Sequence, residues 1–175
     1  MAVQRVRKEP NGNHSPGAAH DGEEKISREH LIKELNGDLR REYQAIISYV
    51  IFSQVLKGAA YMDIAKELEK HAAEELSHAI TIAKQIDYLG GEPASEPMPV
   101  RTADTAVKML AIDLENENET IRNYRRRVRQ CEALGEYAIG EHIRQILMQE
   151  QEHQSDLATA LGKDVPDVTT ASERA

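Results

Sequence analysis

Glu75-Leu76-Ser77-His78 and Glu150-Gln151-Glu152-His153 decide the reading of this chain. The two Glu-x-x-His tetrads stand 75 residues apart, and each follows a lone glutamate, Glu42 or Glu117, at the same distance of 33 residues. Four carboxylates and two imidazoles are a full protein ligand set for a pair of iron or manganese ions. A four-helix bundle builds such a site from one Glu on each of two helices and Glu-x-x-His on the other two.

The duplication extends past these six residues. A shift of 75 puts Leu35 on Leu110, Leu39 on Leu114, Ile46 on Ile121 and Tyr49 on Tyr124. It also puts Ile64 on Ile139, Leu68 on Ile143, Ile82 on Leu157 and Ile86 on Leu161. An internal repeat fixes architecture before any single element does. Here the repeating unit is one helical hairpin, so the chain reads as an all-α four-helix bundle whose two hairpins pack about a pseudo-two-fold axis.

Local signals supply the boundaries. Residues 1–26 hold Pro10, Asn11-Gly12-Asn13, Ser15-Pro16-Gly17 and Asp21-Gly22 with no periodicity, and read as a disordered tail. Residues 27–162 read as the bundle. Ser27 is an N-cap for a first helix running to about Lys57, with Leu31, Leu35, Leu39, Glu42, Ile46, Tyr49 and Ser53 on one face. A second helix runs from about Tyr61 to Leu89 with Ile64, Leu68, Glu75, His78, Ile82 and Ile86 inward, stopped by Gly90-Gly91. Pro93, Pro97 and Pro99 keep residues 90–101 out of a helix. Twelve extended residues reach roughly 40 Å, and a helix of about 28 residues is roughly 42 Å long. The segment can therefore cross the bundle end to end and start the third helix where the second began. Thr102 is read as the cap of that helix, with Val107, Leu110, Leu114, Glu117, Ile121, Tyr124 and Val128 inward. After Leu134-Gly135 a fourth helix runs to about Leu161 through Ile139, Ile143, Ile146, Glu150, His153 and Leu157. Residues 163–175 carry Pro166 and no amphipathic pattern, and read as a short mobile tail.

Composition narrows the class. Aromatic residues make up 4% and Trp is absent, so the core must be aliphatic, which suits helix packing. Acids outnumber bases by 30 to 22, a formal charge of −8, which argues against a simple nucleic-acid binder and suits attraction of cations. Cys131 is the lone cysteine, so no disulfide can form within the chain and a reducing compartment is the easier reading. No apolar run follows the basic start, and the longest, near Ala45–Phe52, is far short of the ~20 residues a membrane span needs. The expectation is a soluble cytoplasmic protein with no membrane partner.

Glu42, Glu75, Glu117 and Glu150 each fall near the middle of a helix and on its apolar stripe. Glu and His three residues apart share a helix face, so both reach one centre. Four buried carboxylates without compensation would cost several kcal/mol each. Two divalent cations neutralise them. The bland alternative, ordinary helix-surface Glu and His, accommodates one tetrad but not two in register with the core, each with its upstream Glu. Donors without thiolate suit iron and manganese and do not exclude zinc or cobalt. His71, near the second stripe, reads as boundary or outer shell rather than a ligand. Tyr49 and Tyr124, one heptad after Glu42 and Glu117, read as core filler or as partners of the ligands. Cys131 reads as packing.

Several stretches carry a resemblance: Leu35-Asn36-Gly37-Asp38-Leu39-Arg40-Arg41-Glu42, Glu74-Glu75-Leu76-Ser77-His78-Ala79, Leu89-Gly90-Gly91-Glu92-Pro93, Asp113-Leu114-Glu115-Asn116-Glu117 and Glu150-Gln151-Glu152-His153. Over residues 31–161 the chain resembles the ferritin-like superfamily, most closely bacterioferritin. The resemblance implies that Glu42 and His78 hold one iron, Glu117 and His153 the other, and that Glu75 and Glu150 bridge them. It implies a ferroxidase that oxidises Fe2+ with O2 or H2O2 and keeps ferric mineral inside a shell. Tyr49 matches a tyrosine beside the site in that family. Bacterioferritin holds haem through a methionine directly after the bridging glutamate of the second helix; Leu76 stands there, so no haem of that kind is expected. The tail from Lys163 does not look like the family's fifth helix, which puts a 24-subunit cage in question and leaves a 12-subunit shell, as in the Dps-like proteins, or a dimer.

Two other functions stay open at this stage. One is a di-iron or di-manganese oxidase, peroxidase or catalase that stores nothing. The other is a Dps-like protector of DNA, supported by Arg5, Arg7 and Lys8 and by Arg122, Arg125, Arg126, Arg127 and Arg129. That arginine run spreads around its helix amid many acids and reads first as a solvated face or subunit interface.

Overall fold

Ser27 opens the first helix: its backbone is extended, and its side chain accepts a 3.1 Å hydrogen bond from the His30 N–H. A computed structural model describes residues 26–169. Four long helices follow one another: α1 (Arg28–Val55), α2 (Met62–Tyr88), α3 (Ala106–Leu134) and α4 (Tyr137–Ala160), with a 3-10 turn at Ala59–Tyr61 before α2. The described residues contain no strand. None of these helices is long and apolar enough to cross a membrane.

Two glycines shape the chain where α3 and α2 end. Gly135 adopts φ 74°, the left-handed conformation that ends α3, and lets the Glu136 N–H reach the Cys131 carbonyl at 2.8 Å. Gly91 is needed for space instead. A Cβ there would lie 2.5 Å from Cγ2 of Ile32, so the chain leaving α2 can press against α1 only without a side chain.

The crossover runs along α1. Asn36 donates to the Glu92 carbonyl (3.1 Å) and accepts from the Ala94 N–H (2.6 Å). The Met98 N–H bonds the Arg40 carbonyl (2.9 Å), and Gln44 donates to the Pro99 carbonyl. These contacts advance together, so the crossover travels parallel to α1. It delivers Ala106, Met109 and Leu110 to the end of the bundle where Leu56, Tyr61 and Ile64 already pack.

The start of α3 differs from the sequence reading. Thr105, not Thr102, is the cap, accepting from the Lys108 N–H at 3.4 Å. Val107, expected inward, is 54% exposed. The apolar stripe of α3 begins at Leu110, and counting Val107 into it drew the boundary back by one turn. At the other terminus, residues 163–169 are not helical. There Val168 is buried and Gln154 donates to the Pro166 carbonyl (3.1 Å), so this part of the expected mobile tail is docked on the bundle. Residues 1–25 and 170–175, the rest of both expected tails, lie outside the described residues.

Two apolar clusters fill the bundle. One joins Leu31, Leu35, Leu39, Ile82, Ile86, Ile139 and Ile143. The other joins Phe52, Leu56, Ile64, Leu68, Leu110, Leu114 and Leu157. Glu42, Glu75, His78, Glu117, Glu150 and His153 are buried in the layer between them. One buried ion pair ties α1 to α3 beside this layer. Arg127 donates from Nε to Asp38 Oδ2 (2.6 Å) and from Nη2 to Asp38 Oδ1 (3.1 Å). Breaking one partner leaves a buried charge alone, which costs about 3 kcal/mol or more, whereas apolar replacement of both is close to neutral. Arg127→Leu should therefore lower the urea midpoint strongly, and the double variant Asp38→Leu/Arg127→Leu should recover most of that loss at equal protein concentration. Equal midpoints for the two variants would show that the pair acts through volume alone.

Candidate metal centre

Each helix contributes one glutamate at the same depth, and α2 and α4 add a histidine one turn later. The structure brings all six together. Nδ1 of His78 lies 3.1 Å from Glu75 Oε2, 3.1 Å from Glu150 Oε1 and 3.4 Å from Glu42 Oε2. Nδ1 of His153 lies 3.1 Å from Glu75 Oε1 and 3.5 Å from Glu150 Oε2. Two sets of four donors result, Glu42–Glu75–His78–Glu150 and Glu75–Glu117–Glu150–His153, each with its ligand atoms within 4.8 Å of one another. Glu75 and Glu150 belong to both sets.

The electrostatics are those of groups forced together in a dry place. Burial raises the Glu42 and Glu117 carboxyls well above the usual range, and the charges of Glu75 and Glu150 add to it. Burial acts on Glu75 in the same sense, but the bonds from His153 and His78 outweigh it and hold this carboxylate below its usual range. Glu150 is also lowered: burial and the Glu75 charge oppose this, and the two histidines and Glu117 win. Burial disfavours imidazolium, yet Glu150 and Glu75 push His153 up to about 12. His78 is raised likewise, against burial, by Glu150, Glu42 and Glu75.

Sequence reasoning reached the six and offered Tyr49 and Tyr124 beside them, but it missed the outer contacts of the two histidines. Nε2 of His78 bonds Gln149 Oε1 (2.8 Å), and Nε2 of His153 bonds Glu74 Oε2 (2.9 Å). These outward contacts fix each ring so that Nδ1 faces the centre. The 75-residue shift carries Glu74 onto Gln149, so the repeat itself held the signal. Tyr49 donates to Glu117, and Tyr124 donates to Glu42. Burial and neighbouring carboxylates keep both phenols protonated, their pKa values well above the usual one. His71 is not at a boundary. It is fully buried, stacked on His153 with ring centroids 4.0 Å apart, and edge-on to Tyr49.

These residues fit a metal pair. Glu42 Oε2, Glu117 Oε2 and both oxygens of Glu150 are buried without a hydrogen-bond partner. Buried carboxylate oxygens are normally satisfied, and orphans gathered at one point call for a cation.

Known proteins agree with this geometry. The chain is 26% identical over 132 residues to a bacterioferritin from Rhodobacter capsulatus, covering 75% of this chain and 82% of that one. A ferritin-like diiron-carboxylate protein from Bacillus anthracis superposes with a TM-score of 0.74 at 30% identity, covering 78% of this chain and 99% of that one. A bacterioferritin-related dodecameric thioferritin from Bacteroides fragilis superposes with a TM-score of 0.73 at 29% identity, covering 79% and 88%. The ferritin-like domain family matches residues 32–165, and on that span, this fold and this ring of donors, the chain belongs to it.

Proposed function

We propose that this protein binds two iron ions per subunit between its four helices, oxidises Fe2+ to Fe3+ with O2 or H2O2, and retains the ferric product in a homo-oligomeric shell. The observation that carries the reading is the pair of four-donor sets sharing Glu75 and Glu150. Glu42 and His78 would hold one ion, Glu117 and His153 the other, and the two shared carboxylates would touch both. Iron bound there would supply one-electron chemistry, each Fe2+ giving an electron to O2 or H2O2. Manganese fits the same donors.

The chain's own residues set the conditions. Gln149 and Glu74 hold the outer imidazole nitrogens, so each Nδ1 lone pair can face a cation. Tyr124 and Tyr49 fix the outer carboxylates by donating to them. The apolar layers on either side keep bulk water away, which strengthens every charge interaction inside. Leu76 has no thioether to offer a haem, and none is part of this reading. Ile47, Val50 and Ile51 on α1 and Leu76 and Ile80 on α2 are exposed and give copies of the chain an apolar surface to share. The dodecameric Bacteroides fragilis neighbour supports a closed shell. Nucleic acid is not a partner in this reading, since Arg127 of the basic run is buried against Asp38 and the chain carries −8 overall.

Glu75→Ala and His153→Ala should each remove the fast phase of Fe2+ oxidation in stopped-flow absorbance while far-UV circular dichroism keeps its helical signal. Unchanged oxidation kinetics in both variants would rule the site out. Native mass and retained iron separate storage from its rival: a small dimer that turns over peroxide without accumulating iron would make this a non-storing oxidase, peroxidase or catalase.

Proton balance gives an independent check. Burial and the neighbouring charges drive protons onto His78, His153, Glu42 and Glu117 and away from Glu75 and Glu150. The layer is neutral. Two divalent cations on four carboxylates with neutral imidazoles are neutral as well, so filling the centre displaces about four protons. Because the displaced groups have raised pKa values, apparent affinity should increase with pH across neutrality. Anaerobic Fe2+ calorimetry in buffers of different ionisation enthalpy measures the release; binding without proton release would contradict this ligand set.

A further inference from the structure

A further group of donors meets between α2 and α4, adjoining the ring of six through His71, which also stands with Glu74 and His153 in a three-donor set. Glu67, His71 and Asp156 each present a ligand atom within 4.8 Å of the other two. None of them belongs to either four-donor set. His71 Nε2 is 3.3 Å from Asp156 Oδ2, and Nδ1 of the same buried ring has no hydrogen-bond partner. The Asp156 side chain is 45% exposed. With Glu67 and Asp63 it lines a groove of about 230 Å³. Glu67 and Asp156 line the groove; His71 does not, and its Nε2 meets Asp156 from the buried side. Lys70 Nζ stands 3.7 Å from Glu67, beyond hydrogen-bond distance, on a largely exposed side chain, and does not close the site.

The repeat shows that this group is not a by-product of the duplicated scaffold. A shift of 75 carries Glu67 onto His142 and His71 onto Ile146, and the counterpart of Asp156 is Thr81. The repeat-related positions on α4 and α2 hold no such set, whereas every residue of the central ring has its mate. A His–Asp hydrogen bond would explain the His71–Asp156 contact alone. It explains neither the convergence of Glu67 nor the open groove. Two carboxylates neutralise a divalent ion, the imidazole adds a nitrogen donor, and water can complete the shell.

We propose that Glu67, His71 and Asp156 bind a third divalent cation of the first transition row, loaded from the groove and distinct from the dinuclear centre. Zinc is the probe because it takes these donors and undergoes no redox change. The assembled protein is equilibrated with Zn2+, freed of loose metal, and counted by elemental analysis. Anomalous diffraction from zinc-soaked crystals then locates the ions. The double variant Glu67→Gln/Asp156→Asn should hold one zinc ion per chain fewer than the wild type, and its anomalous map should lose the peak beside His71 while keeping those among Glu42, Glu75, Glu117 and Glu150. Equal zinc content in the two proteins, or a wild-type map with no peak beside His71, overturns the proposal. A map with the groove peak and none in the ring would uphold it and defeat the dinuclear reading instead. Because both substitutions are on part-exposed residues and preserve shape, loss of the fold does not confuse the comparison.

Discussion

Four carboxylates cannot stay ionised together in a dry helical core, and every feature near the middle of this bundle answers that constraint. The bundle places Glu42, Glu75, Glu117 and Glu150 in one buried layer, between apolar clusters that give them no solvent. Burial and the surrounding charges favour protons on the two histidines and on the two glutamates that are not shared. The division is not arbitrary. Glu75 and Glu150 each reach both imidazoles, so they gain most from charge. Glu42 and Glu117 instead accept from a tyrosine, and burial together with the charges of Glu75 and Glu150 weighs most against their ionisation. On the proposed reading, two cations take over from these protons without altering the charge of the layer.

The tyrosines and the outer histidine contacts show how the repeat builds this layer. Tyr49 of the first half serves Glu117 of the second, and Tyr124 of the second serves Glu42 of the first. His78 leans on Gln149 and His153 on Glu74, again across halves. Neither hairpin completes its own half of the centre. The site therefore exists only when the two hairpins dock, and the docking buries the groups that the site requires.

This explains what could be read from the sequence. The helices, their order and the six central residues were legible because a 75-residue shift superposes both the apolar stripe and the acid–imidazole pattern. Thr105 was harder, because Thr102 is an equally good cap chemically and only tertiary packing, which leaves Val107 outside, separates the two. Periodicity leaves His71 between a boundary and an outer-shell position, because it gives a direction around a helix but not the stacking partner, His153, that covers it and settles the second. Glu74 and Gln149 were overlooked because helices rich in Glu and Gln offer many such residues, although their matched register was present in the repeat.

Where the two halves depart from each other, the local chemistry departs too. Asp38 and Asp113 are related by the repeat and both are buried. Asp38 meets Arg127, but the position that would serve Asp113 in the same way is occupied by Phe52. Asp113 is left with an unpartnered Oδ2, and burial pushes its pKa up to about 8, so near neutrality it is mostly an uncharged acid. The halves thus solve the same problem twice, once with a countercharge and once with a proton. His71 is the second such departure, placing an imidazole where the other half has Ile146. A duplicated scaffold fixes the shared centre through the residues that remain equivalent. It is free to acquire new polar chemistry only at positions where equivalence has been given up, and in this chain Arg127 and His71 put two such positions beside the ring.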